Sequence, residues 1–112
     1  MFQHVAQYHG FYAGTGCGRS FDQIAEISDA VGDKIDVILD GGIRRGTHVL
    51  KAIAAGAKAC SGGRMYLYAL AAAGQPGVER ALRNLKIEIE RDMKLLGVTR
   101  VSQLNREMLR YR

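Results

Sequence analysis

With 112 residues the chain is at most one domain by size, and 47% hydrophobic with 24% charged residues describes an ordinary globular protein rather than a disordered one. Its net charge of +5 admits an anionic ligand, but there is no Trp and the five Tyr are not interleaved with Lys or Arg, which argues against a nucleic-acid platform. The two isolated cysteines, Cys17 and Cys60, show no CxxC spacing, which excludes a disulfide framework or a zinc site and points to reduced thiols in the cytoplasm.

The first residues, "MFQHVAQYHG", lack the basic and apolar regions of a signal peptide and contain a possible short strand near His4–Tyr8. "GFYAGTGCG" is dense in glycine and reads as a loop. From Ser20 the signals sharpen: "SFDQ" has the form of a capping box, and Phe21, Ile24, Ile27 and Val31 recur at helical spacing up to Gly32. "KIDVILD" follows as a strand whose nearly continuous apolar run predicts burial on both faces.

After the loop "DGGIRRG", Thr47 is expected to cap a short helix, "THVLKAIAAGA", stopped by Gly56. "AKACSGG" is a second strand and "RMYLYALAAAG" a second helix. That stretch is the longest apolar run and is about half of what a membrane span needs. "QPG" is expected to break the chain before the longest helix, Gly77–Leu96. There Val78, Leu82, Leu85, Ile89, Met93 and Leu96 form one apolar stripe, read as a core face. Glu79–Arg83, Lys86–Glu90 and Glu90–Lys94 stand at i,i+4 on the wet side. A final helical turn is expected near Ser102, and "NREMLRYR" reads as a solvated, partly frayed tail.

Strands alternating with helices predict an α/β fold with a parallel sheet. In such sheets ligands lie beyond the C-terminal ends of the strands, and both glycine turns fall at that end. Arg64 comes 24 residues after Asp40, about one βα unit, so the turns belong to neighbouring strands. Glycine lets backbone N–H groups approach an anion, a following helix N-terminus adds favourable potential, and Arg44 and Arg64 supply charge-assisted donors. The arrangement predicts a phosphate site like the one formed by the last two loops of a (β/α)8 barrel. Asp40 suits a ribityl or ribose hydroxyl as an acceptor.

"VILDGGIRRGTHVLKAIAAGAKACSGGRMYLYALAAAGQPGVERAL", continuing through "EIERDMKLLGV", closely resembles the C-terminal part of the FMN-dependent α-hydroxy-acid dehydrogenases, above all the bacterial flavin L-lactate dehydrogenase branch. The resemblance implies the last βα units, about strands six to eight, of a TIM (β/α)8 barrel that is incomplete as a single chain. It implies FMN as cofactor, contacted by Asp40, Gly41, Gly42 and Arg44 after strand seven, with Gly63 and Arg64 holding its phosphate after strand eight. The substrate implied is a small 2-hydroxy acid.

In the family motif a catalytic His–Gly is followed three residues on by an Arg that binds the substrate carboxylate. Counting back without gaps places His9–Gly10 on the His–Gly and Tyr12 on the Arg. His9 is thus the implied base, and the missing Arg removes a charge that tyrosine does not replace. His4 and His48 read as structural or exposed. A barrel of about 250 residues is the norm, so the chain reads as a fragment, a truncated product or a self-associating piece, possible as a homo-oligomer and inactive alone. An inosine-monophosphate-dehydrogenase-like enzyme, which shares a DGG turn, and a non-catalytic remnant are the other readings. The parent enzyme could be peripheral at an inner membrane.

Overall fold

The computed structural model describes residues 4–7 and 20–110. Three short strands, β1 (His4–Gln7), β2 (Val37–Asp40) and β3 (Ala59–Ser61), form a parallel sheet in that order. β1 registers His4 with Val37 and Gln7 with Asp40; β2 registers Ile38 with Ala59 and Asp40 with Ser61. Between them run α1 (Ser20–Val31) and α2 (Gly46–Ala55), and α3 (Arg64–Leu96) follows β3. The α/β order read from the sequence is therefore present. The strand expected over Lys34–Asp40 is shorter, because Lys34 and Ile35 donate to the Val31 carbonyl in the turn that ends α1.

The core lies between the sheet and the two crossover helices. Ile24 from α1, Leu39 from β2, Ile43 from the following turn, Ala52 and Ala55 from α2, and Ala57 form one buried cluster, with Phe21, Val49, Cys60 and Leu109 packed against it. Small residues on the inner face of α2 let the helix lie close to the sheet. Burial in β2 alternates rather than covering both faces: Val37 and Leu39 are buried, Ile38 and Asp40 half-buried. One face of the strand meets the helices and the other does not.

α2 and α3 stop in the same way. Gly56 and Gly97 adopt left-handed conformations, and the next residues, Ala57 and Val98, donate back to Ala52 and Met93 while burying their side chains. This is the Schellman arrangement, which satisfies the last helical carbonyls.

The break expected at "QPG" falls earlier. Ala73 and Gly74 leave helical geometry, and the second segment of α3 already includes Pro76 in its first turn, where its missing N–H costs nothing. The apolar stripe of α3 is not a buried core face. No α3 residue is buried, and Leu82 and Leu96 are 51% and 46% exposed, because among the described elements the helix packs chiefly on α2. Of the three expected i,i+4 ion pairs only Lys86–Glu90 is within range, at 3.8 Å.

The C-terminal segment also departs from its reading. It forms two 3-10 turns, Val101–Gln103 and Arg106–Met108, and is tied down rather than frayed. Arg106 donates to the Ala25 and Ala55 carbonyls at 3.1 and 3.2 Å and pairs with Asp29 at 2.7 Å, joining the ends of α1 and α2. Among the described residues no helix is long and apolar enough to cross a membrane.

Candidate functional site: two adjoining glycine turns

β2 ends at Asp40 and β3 at Ser61, and these two residues are register partners. The turns that follow therefore leave the same end of the sheet side by side. In the first, Gly41 and Gly42 have φ of 113° and 74°, conformations that exclude most side chains. Ile43 then turns inward and is 6% exposed, while Gly41, Gly42 and Arg44 on either side face outward. One buried anchor thus holds a loop whose backbone is presented to solvent.

The second turn rests on that anchor. A Cβ at Gly62 would lie 3.8 Å from the Ile43 carbonyl oxygen and 3.9 Å from Ile43 Cγ2. Gly63 is the N-cap of α3 and has no side-chain cap; the first helical bond runs from Leu67 N–H to the Gly63 carbonyl. The amides of Arg64, Met65 and Tyr66 thus precede any intrahelical partner. A Cβ at Gly42 or Gly63 would meet nothing within 4 Å, so both backbones border open space.

The N-terminus of α2 differs. Its N-cap is Arg45, in an extended conformation, and not Thr47, which lies inside the helix and donates its hydroxyl to Asp92 Oδ2 at 2.7 Å. Gly46 N–H donates to Glu88 Oε2 at 2.8 Å, and Arg45 Nε lies 2.8 Å from Glu88 Oε1. A carboxylate reaching across from α3 therefore takes the place of a cap. The Gly46 amide and then Arg45 hold the Glu88 carboxyl below its ordinary value, and Glu88 raises Arg45 in return. The Thr47 hydroxyl and Arg91 likewise lower Asp92.

Of the residues expected to contact FMN, Asp40, Gly41, Gly42 and Arg44 lie on the first turn and Gly63 and Arg64 on the second, at one end of the sheet. Among the described residues neither Arg44 nor Arg64 has a carboxylate partner, and the Asp40 side chain has no hydrogen bond. His9, Tyr12, Arg19 and Cys17 lie outside the described residues, as does the side chain of Ser20. Two contributors were missed in the sequence. Glu88 belongs neither to the apolar stripe nor to the three i,i+4 pairs read on that helix. His48 is half-buried, and its Nδ1 accepts the Arg44 N–H at 3.2 Å, bracing the first turn. The Glu88 contact spans 42 residues and has no local spacing signal, whereas the His48 contact spans only four. No three His, Cys, Asp or Glu side chains converge among the described residues. Burial raises the thiol of Cys60, which favours its protonated form.

The sequence model of the FMN-dependent dehydrogenase family matches residues 9–111. The chain belongs to that family. It is 51% identical over 76 residues to an L-lactate dehydrogenase (cytochrome) of Wickerhamomyces anomalus, covering 68% of this chain and 13% of the relative. It is 45% identical over 97 residues to a pre-mycofactocin synthase of Mycobacterium tuberculosis, covering 87% and 24%. Among solved structures, a mandelate oxidase variant with a monooxide FMN adduct superposes with a TM-score of 0.81 at 41% identity, covering 91% of this chain and 32% of that one. The chain thus spans about an eighth to a third of the lengths of these proteins.

FMN is the cofactor of the family, and the residues present suit it. Positive-φ glycines at the end of one strand, open backbone at Gly42 and Gly63, and, among the described residues, an uncapped helix N-terminus and two arginines without carboxylate partners form a donor set for a phosphate monoester. Membership over residues 9–111 favours this family over the inosine-monophosphate dehydrogenase reading.

Proposed function

We propose that the chain carries the flavin-phosphate cradle of an FMN-dependent L-2-hydroxy-acid dehydrogenase or oxidase, with L-lactate the first substrate to test. The observation that carries this reading is the juxtaposition of the two turns through Ile43 and Gly62, with α3 left open at its N-terminus. In this reading Gly63, Arg64 and the first amides of α3 hold the phosphate, and Arg44 closes on it from the neighbouring turn. Gly41 and Gly42 let the backbone run against the flavin, and Asp40 accepts a ribityl hydroxyl.

The three parallel βα units are strands six to eight of a (β/α)8 barrel. The half-buried face of β2 that carries Ile38 and Asp40 then looks into the barrel, away from the helices. FMN held in this cradle would supply the two-electron acceptor for a hydride equivalent from the substrate α-carbon. His9 takes the proton from the substrate hydroxyl. Tyr12 offers the substrate carboxylate a neutral hydroxyl where the family motif has a guanidinium, which weakens substrate binding. Turnover of a 2-hydroxy acid draws on walls of the barrel beyond these three βα units as well.

The test is the visible spectrum of the chain after FMN has been added and free ligand removed on a sizing column. Retained flavin absorbance supports the cradle, and addition of L-lactate then reports any bleaching. Loss of all flavin, in a chain whose circular dichroism shows it folded, contradicts the assignment.

A further inference from the structure

Two helix N-termini follow the two glycine turns, and both begin beside an arginine pair or an arginine. A free N-terminus of either kind attracts an anion. Only one is open. The first amide of α2 and the guanidinium of Arg45 converge on Glu88, whose two carboxylate oxygens lie 2.8 Å from Gly46 N and 2.8 Å from Arg45 Nε. Glu88 is bound there much as an external carboxylate or phosphate would be.

The fit is close. A Cβ at Gly46 would stand 2.7 Å from Glu88 Cβ and 2.6 Å from Ile89 N, so the glycine brings the start of α2 directly onto α3. Asp92, one turn further along α3, takes the Thr47 hydroxyl at 2.7 Å and pairs with Arg91 at 2.8 Å, placing a second carboxylate at the same helix end. At α3 no side chain among the described residues caps the N-terminus.

We propose that Glu88 is a positioning residue of the anion site: by filling the N-terminus of α2 and holding Arg45, it confines a phosphate to the N-terminus of α3, beside Arg64 and Arg44. This rests on the reading of the two turns as a phosphate cradle. It adds that the choice between two adjacent, similarly built helix ends is made by a residue that touches neither the phosphate nor the flavin.

The test follows backbone amide and arginine Nε–H resonances of the full chain during titration with inorganic phosphate. In the unaltered protein the amides of Gly63, Arg64 and Met65 shift saturably, and those of Gly46 and Thr47 and the Arg45 Nε–H do not. In Glu88→Ala the Gly46 and Thr47 amides become phosphate-responsive. In Glu88→Gln the amide oxygen still accepts from Gly46, so the fold is disturbed less, while Arg45 is released and its Nε–H becomes responsive.

A purely structural role for Glu88 predicts lower thermal stability in both variants with phosphate still confined to Gly63–Met65, and that result overturns the proposal. Phosphate shifts at Gly46 in the unaltered protein overturn it as well. A phosphate response that appears only at Gly46, Thr47 or Arg45, and only in the variants, removes the FMN-phosphate reading of α3 and with it the confinement proposed for Glu88. Failure of one is thereby separated from failure of the other.

Discussion

Ile43 borders the space that a side chain at Gly62 would enter, across the two turns. A Cβ at Gly62 would lie 3.9 Å from Ile43 Cγ2, and Ile43 is itself buried against Ile24 and Leu39. Neither turn can shift without disturbing the other or the core. Ile43→Ala removes the shared anchor, and a buried Ile→Ala change costs about 2–5 kcal/mol. Chemical denaturation should show that loss, and hydrogen exchange should show faster amides at Gly62 and Gly63 as well as at Gly41 and Gly42. Acceleration confined to the first turn would mean that the two are not coupled.

Gly42 and Gly46 should respond differently to a side chain. At Gly42, with φ of 74° and nothing within 4 Å, the penalty is backbone strain alone, about 1–2 kcal/mol. Asn, which tolerates that conformation, should be accepted better than Val. At Gly46 the obstacle is Ile89 N at 2.6 Å, so Gly46→Ala must push α2 away from α3 and should lower the melting temperature more than Gly42→Asn does. Equal losses would contradict the packing described for Gly46.

Acid should weaken the junction of α2 and α3. Glu88, Asp92 and Asp29 are all held below their ordinary values of 4.5, 3.8 and 3.8 by hydrogen bonds from Gly46, Thr47 and Arg106 respectively. A carboxylate depressed in the folded state contributes stability that is fully present above its unfolded value and is lost as pH falls through the folded one. Melting temperature should therefore hold from neutral pH to about 5 and fall below 4.5. In Glu88→Gln the fall should be shallower from a lower plateau. An unchanged acid limb in that variant would assign the loss to other carboxylates.

Arg106 is the tether of the C-terminal segment. Arg106→Ala removes bonds to the Ala25 and Ala55 carbonyls and to Asp29, so the segment beyond Gly97 should become more sensitive to trypsin and lose amide protection. The sheet amides of Val37–Asp40 should change little. Arg106→Lys, which lacks the planar fork, should restore only part of the protection.

These contrasts show which parts of the molecule were legible in its sequence. Parallel order, the positions of the two turns and the glycine stops at Gly56 and Gly97 follow from local chemistry, since each depends on residues a few positions apart. The placement of Glu88 against Gly46, of His48 against the Arg44 amide and of Arg106 against α1 and α2 does not all follow so. Glu88 and Arg106 act over 42 and 51 residues or more, where a charge on a helix face or a tail carries no mark of its partner. Thr47 was misread as a cap because its local pattern fits one. The carboxylate that took over the role comes from another helix. The stripe on α3 has core periodicity, yet Leu82 and Leu96 are exposed, because periodicity names a face without saying what lies against it.

The assignment of Arg64 as the phosphate anchor is tested most directly by FMN and riboflavin affinities of Arg64→Ala and Arg83→Ala, measured by flavin fluorescence. Arg64 opens α3 beside the turns, whereas Arg83 is an exposed residue of the second segment. A lost charge-assisted contact to phosphate predicts about a ten- to hundredfold weaker FMN affinity for Arg64→Ala. Riboflavin, which has no phosphate, should bind that variant as it binds the unaltered chain, and Arg83→Ala should change neither affinity. Equal effects of the two substitutions on FMN, or an Arg64→Ala loss that is as large for riboflavin, would contradict the phosphate cradle.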